Sequence, residues 1–317
     1  MITNEIVAPY VEKGLVNKIP CPCGGMFMYN YTDKCVFEGA WDGVTRACRG
    51  LVLSADDVIM CRPMDKFFNL GEMEESKLEN LPAVEPVVTK KYDGSLVNVW
   101  WSGSEDRWRA TTRGSWESWQ AKRVEEILCG RDDWDDTIRR DCTYCLEYVG
   151  PQNQHVVQYP KEKLYLLASR YNDDGSEVSA DLIVQAGRLI SMECPVISPM
   201  EVLPFKAVAE IVLDGEWQNE EGFVARMGNL RVKLKFDAYK AMHRVLSGLN
   251  ERAVWENLME GGPLMDVIEG MPIPADVKTR YRAIHEELVE DALMIEDAAK
   301  SVSGPAWEKA AKRVGFD

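Results

Sequence analysis

The chain is expected to fold as an α+β protein, with antiparallel sheets and flanking helices over residues 1–245 and a small all-α domain over 246–317. Three observations carry this. Runs of β-prone residues recur between turn signals from MFMYNYT (26–32) through LRVKLKF (230–236). From Asp237 onward the apolar spacing turns helical, punctuated at Gly261-Gly262-Pro263, Pro272 to Pro274 and Gly304-Pro305. At 317 residues and 46% hydrophobic content, the chain can bury one large core and a second, smaller one.

In order, a short helix is expected at Ile6 to Leu15, followed by an irregular Pro/Cys/Gly segment. Strands follow in MFMYNYT, in CRGLVLS and, after the Asp56-Asp57 turn, in VIMCRPM, with KFFNL beyond Pro63. The acidic stretch Gly71 to Asn80 leads through Leu81-Pro82 and Glu85-Pro86 into VVTKKYDGSLVNV (87–99). There Asp93-Gly94 is a strong turn signal between two β-prone runs, which places a lysine at the tip of a sheet. WRATTRGS reads as the returning strand after Ser102-Gly103-Ser104. A helix over Trp116 to Cys129 should bury Trp119, Val124, Ile127 and Leu128. CTYCLEYV and KLYLLASRY are further strands, helices are expected near Ala180 to Arg188 and Lys206 to Leu213, and EGFVARM and LRVKLKF form a hairpin about Gly228-Asn229.

Composition narrows the function. Apolar runs stop short of the roughly 18–20 residues that cross a bilayer, and MITNEIVAPY lacks a signal-peptide pattern, so the expectation is a soluble, cytoplasmic protein (host cytoplasm if viral) with no membrane partner. Nine cysteines, an odd number in a long chain, read as reduced thiols. Cys21 and Cys23 have knuckle-like spacing without a second pair, and strand alternation turns Cys142 and Cys145 to opposite faces, which disfavours zinc. A formal charge of −15 argues against nucleic-acid binding by bulk attraction, but Arg226, Arg231, Lys233, Lys235, Lys240 and Arg244 concentrate positive charge locally. That run is either a solvated face or a site.

The candidates for chemistry each admit a bland reading. Lys90 or Lys91 is a surface charge or an activated nucleophile. Glu147 lies among Tyr144, Leu146 and Tyr148 in a strand, where a carboxylate is either paired at the surface or facing a cleft. Glu221, or Glu220 beside it, precedes Gly222. Lys233 and Lys235 alternate with Val232, Leu234 and Phe236 and so project from one face, as an edge guard or as phosphate binders. A two-residue Gly228-Asn229 loop pairs Lys233 with Val224 and Lys235 with Gly222. The same register turns Glu221 to the opposite face, so its sharing the pocket would need a bulge, another loop length or a twisted strand end.

The order KYDGSL, TTRGS, LEYVG, EEGFV and KLK resembles the covalent nucleotidyltransferase superfamily of polynucleotide ligases and mRNA capping enzymes, with its ATP-grasp-like core. YNYTDK, ACRGLVLS, RPMDKFFNLGE, KYDGSLV, EYVGPQNQHVV and KLKFDAY narrow the resemblance to the RNA ligase 1 family of T-even bacteriophage type, over about residues 26–245. The resemblance implies an ATP-dependent RNA ligase in three steps: Lys91 displaces pyrophosphate from ATP, AMP passes to an RNA 5′-phosphate, and an RNA 3′-hydroxyl displaces AMP.

It selects Lys91 as nucleophile, with Lys90 flanking it at the nucleotide. Lys91 must be neutral to attack, and Lys233, Lys235 and a Mg2+ or Mn2+ ion are expected to favour that form by repulsion. Lys233 and Lys235 also fit the α-phosphate. Glu147 matches the carboxylate holding the ribose, Glu221 the one associated with metal and catalysis, and both are candidate metal ligands. Arg49 and Lys66 match positions near the triphosphate, Phe68 one beside them and Tyr239 one after the KLK strand. Gly94 leaves room for the nucleotide, and Val224 or Phe223 packs on adenine. Arg113 stands where the phage member has lysine, and the tail is shorter than that member's helical domain.

The partners so implied are RNA ends, single-stranded or in a broken tRNA loop, acted on by a monomer. A DNA ligase or capping guanylyltransferase on the same core would normally carry an OB-fold after KLK, and none is recognisable. An RNA-binding module with an inactive pocket would lack charged motif positions that are all present here.

Overall fold

A computed structural model describes residues 2–129, 138–179, 219–237, 239, 240, 243 and 275–301. The chain divides into two compact units, Met1–Tyr239 and Lys240–Asp317. In the second, the described element is a helix over Ala275–Ser301 on which Leu293 and Met294 are exposed. Among the described residues no helix is long and apolar enough to cross a membrane. The expected helices near 180–188 and 206–213 and the punctuated tail segments lie outside the described residues.

The first unit holds three four-stranded sheets. Sheet I runs β1 (Val16–Pro20), β2 (Met26–Tyr31), β3 (Arg49–Ser54), β4 (Ile59–Cys61), each antiparallel to its neighbour. Sheet III is made from β5 (Phe68–Asn69), β6 (Val87–Lys91), β11 (Gly222–Met227) and β12 (Leu230–Lys235), in the order β5-β12-β11-β6. Its β5–β12 pair is parallel. Sheet II is made from β7 (Ser95–Ser102), β8 (Arg107–Thr112), β9 (Cys142–Val149) and β10 (Lys163–Tyr171), in the order β10-β9-β7-β8.

Sheet II is covered on both faces, which is why β9 is buried at every residue and reads as a continuous apolar run. One face packs Val97, Val99, Tyr144, Leu146 and Leu166 against Ala121, Val124 and Leu128 of a helix over Trp119–Cys129. The other turns Trp100 toward Met28, Val52 and Cys61 of sheet I. It also places Cys145 and Ala168 beside Met64. The remaining face of sheet I is closed by a helix over Asn4–Glu12, whose Val7 joins Tyr29, Leu51 and Leu53.

Several expectations are corrected. Asp93-Gly94 does not close a hairpin, because β6 and β7 belong to different sheets. Neither residue has the positive φ that a type I′ turn requires. Asp93 is instead buried, its Oδ2 accepting the amides of Val156 and Val157 at 2.7 and 2.8 Å. Cys21 and Cys23 form a disulfide rather than remaining reduced, whereas Cys35, Cys48, Cys61, Cys142 and Cys145 are free and buried. Trp119 is 44% exposed and meets the edge of Tyr148, since it begins the helix whose apolar face starts at Ala121. Strand β1 and two short helices, Asp33–Glu38 and Gly43–Ala47, were not foreseen; Thr32 and Asp42 cap the helices, which are too short to show a 3.6-residue period.

The crossing from sheet III to sheet II constrains residue 94. A Cβ there would stand 2.3 Å from the Tyr148 carbonyl oxygen and 2.7 Å from Val149 Cγ1. Gly94→Ala is therefore expected to cost about 1–3 kcal/mol or more, seen as a lower urea midpoint with an unchanged m-value.

Candidate active site

Sheets II and III oppose each other across a cavity of about 140 Å3. In sheet III, directly paired residues share a face, so Lys91, Gly222 and Lys235 form one row and Thr89, Val224 and Lys233 the next. This is the register set by the two-residue Gly228-Asn229 loop. In sheet II, Glu147 pairs with Leu96 and Tyr165 and lines the same cavity. Arg49, at the start of β3, completes the wall.

Glu221 reaches this cavity through a twisted strand end. Gly222 has φ +140°, and a Cβ there would lie 2.0 Å from the Leu234 carbonyl oxygen, so only glycine permits the backbone to turn here. Glu221 is 3% exposed. Its Oε2 accepts from Lys91 Nζ at 2.7 Å and its Oε1 faces Lys235 Nζ at 2.8 Å. The neighbouring residues form two separate ion pairs, Lys90 with Glu220 and Lys91 with Glu221. Lys91 is thus not ringed by like charge alone, because Glu221 lies between it and Lys235.

The surrounding charges are strongly perturbed. Burial, reinforced by the Glu221 charge, pushes the Glu147 carboxyl up to about 7 against the pull of Lys91, Arg49 and the Gly94 amide. Burial also lowers Lys233 to about 6, with Lys66, Arg49, Lys91 and Lys235 adding repulsion. Burial lowers Arg49 from its ordinary value. Several of these cations rest on rings: Lys233 Nζ lies 4.8 Å from the Phe67 centroid, and Lys66 Nζ 5.1 to 5.9 Å from Phe68, Trp41 and Tyr31. Arg113 stacks over Tyr31 at 4.8 Å and donates to its hydroxyl at 2.6 Å.

The structure therefore gathers Lys90, Lys91, Lys233, Lys235, Arg49, Glu147 and Val224 at one cavity, with Glu221 behind them in contact with Lys91 and Lys235. Lys66 and Phe68 line an adjoining cavity of about 630 Å3 that shares the Phe67 and Arg231 walls. Other expectations need correction. Phe223 falls on the reverse face and packs on Phe236 at 5.9 Å, because alternation opposes it to Val224. Lys90 does line the cavity, with its ammonium on Glu220. Gly94 makes room for the backbone of β9 rather than for a ligand, while its amide donates to Glu147 Oε1 at 3.2 Å. Tyr239 is 1% exposed and does not line the cavity; its hydroxyl donates to Asp93 Oδ1 at 2.7 Å, and burial with the charges of Glu221 and Asp93 raises its phenol.

Thr89, Phe67, Leu96 and Tyr92, which stacks on Tyr165 at 3.6 Å, were missed. For Thr89 the signal was available, two residues before Lys91 on the same strand face. As for metal, no group of three or more His, Cys, Asp or Glu able to hold an ion occurs among the described residues.

A sequence profile of the RNA ligase family matches residues 47–240. The chain belongs to the RNA ligase 1 family. A Thermovibrio ammonificans protein assigned as a candidate RNA ligase is 28% identical over 219 residues, covering 65% of this chain and 55% of that protein. The chain thus spans about half the length of that relative. The RNA ligase of Rhodothermus phage RM378 is 22% identical over 334 residues, covering 81% of this chain and 73% of the phage protein. An archaeal ATP-dependent RNA ligase shares the fold at a TM-score of 0.57, with 15% identity over 94% of this chain and 80% of its own.

Because the folded Glu147 carboxyl titrates near 7, above an unfolded glutamate at about 4.3, its protonated form favours folding. That contribution is fully present below about pH 4.3 and is lost as pH rises through about 7. Relative to wild type, Glu147→Gln should therefore gain stability between about pH 4.3 and 7, by up to about 3 kcal/mol, and level off above that. Urea titrations of both proteins from pH 4 to 8 check the slope.

Proposed function

We propose that the chain is an ATP-dependent RNA ligase that joins 5′-phosphate and 3′-hydroxyl RNA ends through a Lys91-AMP and an RNA-adenylate. The observation that carries this reading is the Lys91–Glu221–Lys235 cluster, whose two lysines line a cation-rich cavity. It puts an amine, a proton acceptor and phosphate-binding charge within contact of one another.

In the first step the Lys91 ammonium gives a proton to Glu221, with which it is already in contact, and the freed lone pair forms the N–P bond as the bond from the α-phosphorus to pyrophosphate breaks. Lys235 and Lys233 bind the α-phosphate oxygens on which charge accumulates. Lys233, at about 6, is mostly neutral in the free protein at pH 7, and an arriving phosphate draws it into the charged form. Glu147 offers its carboxyl to the ribose hydroxyls and Val224 its side chain to the base. Arg49 and Lys66 serve the outer phosphates.

A divalent metal, when bound, neutralises phosphate charge. Glu147 and, before it takes the Lys91 proton, Glu221 are the carboxylates that would hold it, and nucleotide oxygens would complete the set, a division usual for Mg2+. In the second step an RNA 5′-phosphate oxygen attacks the AMP phosphorus as the N–P bond breaks and Lys91 regains its proton; in the third an RNA 3′-hydroxyl, losing its proton to solvent, attacks the RNA 5′-phosphorus as the bond to AMP breaks, the same lysines holding the phosphates.

The deciding test is labelling with α-32P-ATP and magnesium. Wild type and Lys90→Ala should each form an acid-labile AMP adduct, and Lys91→Ala none. Failure of wild type to form the adduct, or its persistence in Lys91→Ala, would sink the proposal.

A further inference from the structure

Two hydrogen-bond systems converge on the short connection between β9 and β10. From the nucleophile's motif, the Asp93 carboxylate accepts the amides of Val156 and Val157, and the Asp93 amide donates to the Tyr159 hydroxyl at 3.0 Å. From the segment entering β11, Asn219 engages both backbone groups of the residue between them. Its Oδ1 accepts from the Gln158 amide at 3.1 Å, and its Nδ2 donates to the Gln158 carbonyl at 3.3 Å. Asn219 also has φ +59°, one of three non-glycine residues with positive φ among those described. Asparagine tolerates that conformation better than most residues, and a paired amide over-determines it.

The position of this clamp gives it meaning. Residues 219–221 run directly into Gly222, where the chain must turn for Glu221 to enter the cavity. At the other end of the Glu221–Lys91 pair, Lys91 is two residues from Asp93. The backbone of residues 156–159 therefore ties together the two chain segments that carry the pair, one through Asp93 and one through Asn219. Gln158 itself is exposed, so the clamp does not serve core packing.

We propose that Asn219 is a positioning residue, which sets Glu221 against Lys91 by fastening the entry of β11 to the same loop that holds Asp93. This rests on the reading of Lys91 as the adenylylated nucleophile only for its kinetic consequence. The geometric claim stands without it.

The test uses the full chain carrying Asn219→Gly, which keeps the positive φ and removes the amide. Single-turnover adenylylation should slow by about tenfold or more while half-saturating ATP moves less than about threefold, because misplacement of a reacting pair falls on the chemical step.

An arm independent of nucleotide is acetylation with acetic anhydride, quantified at each lysine by mass spectrometry. The labelling of Lys91 relative to Lys13 and Lys18 should move at least halfway toward the value found in Glu221→Gln. Lys13 and Lys18 are exposed on other elements and act as internal references. An unchanged Lys91 ratio in Asn219→Gly would overturn the proposal, as would equal changes at all three lysines, which would mean general loosening. If wild type makes no adduct, the ligase reading falls and the labelling ratio alone still decides the role of Asn219.

Discussion

The carboxylate of Glu221 lies between the ammonium groups of Lys91 and Lys235, within 2.7 and 2.8 Å, and is almost wholly removed from solvent. Three charges brought so close cannot be spared desolvation, and the arrangement is stable only if each oxygen finds its cation with good geometry. That requirement propagates through sheet III. Lys91 and Lys235 must stand in one row, which fixes the register of β6 and β12 against β11. Residue 222 between them must be glycine, because the backbone both turns and touches Leu234 there. The carboxylate also sets the electrostatics across the cavity: its charge helps raise Glu147, and without it Lys91 and Lys235 would add unscreened repulsion to Lys233.

What could be read in advance follows the range of the interactions involved. The β11–β12 register was legible because it depends on a two-residue loop and on alternation, both local. Given that register, Val224 and Phe223 had to lie on opposite faces, so the choice between them was decidable from the sequence. Glu221 was not, since its entry depends on a φ value at Gly222 that neither pattern nor spacing records. Asp93-Gly94 misled because a strong local turn signal was overridden by tertiary bonds: Asp93 finds its partners some sixty residues away. Gly94 was assigned to ligand access because the strand that crowds it, β9, could not be placed beside it without the sheet order.

Resemblance selected Lys91 over Lys90 by position in the KxDG motif. Along β6 Lys90 pairs across the strand with Phe223 and Lys91 with Gly222, yet both line the cavity and they differ in the carboxylate each meets. Alternation does not sort Glu220 and Glu221, because the chain turns at Gly222 just after them. Each adjacent like pair thus divides between two ion pairs, Lys90–Glu220 and Lys91–Glu221, which a one-residue slip of β6 against β11 would disrupt.

The cavity also holds positive charge within a chain that is acidic as a whole. Cations that pair with carboxylates must surrender those contacts before they can bind phosphate. Lys66 and Arg49 are placed differently, over the rings of Phe68, Trp41 and Phe67. A ring face holds a cation by its quadrupole, worth roughly 0.5–2 kcal/mol, without cancelling its charge. Positive potential therefore survives inside the site although the chain as a whole carries −15. The cost is mutual repulsion, visible in the lowered Lys233, and an incoming phosphate relieves it. Aromatic support and carboxylate pairing thus divide the work, the first leaving charge unneutralised and the second fixing Lys91 and Lys235 about Glu221.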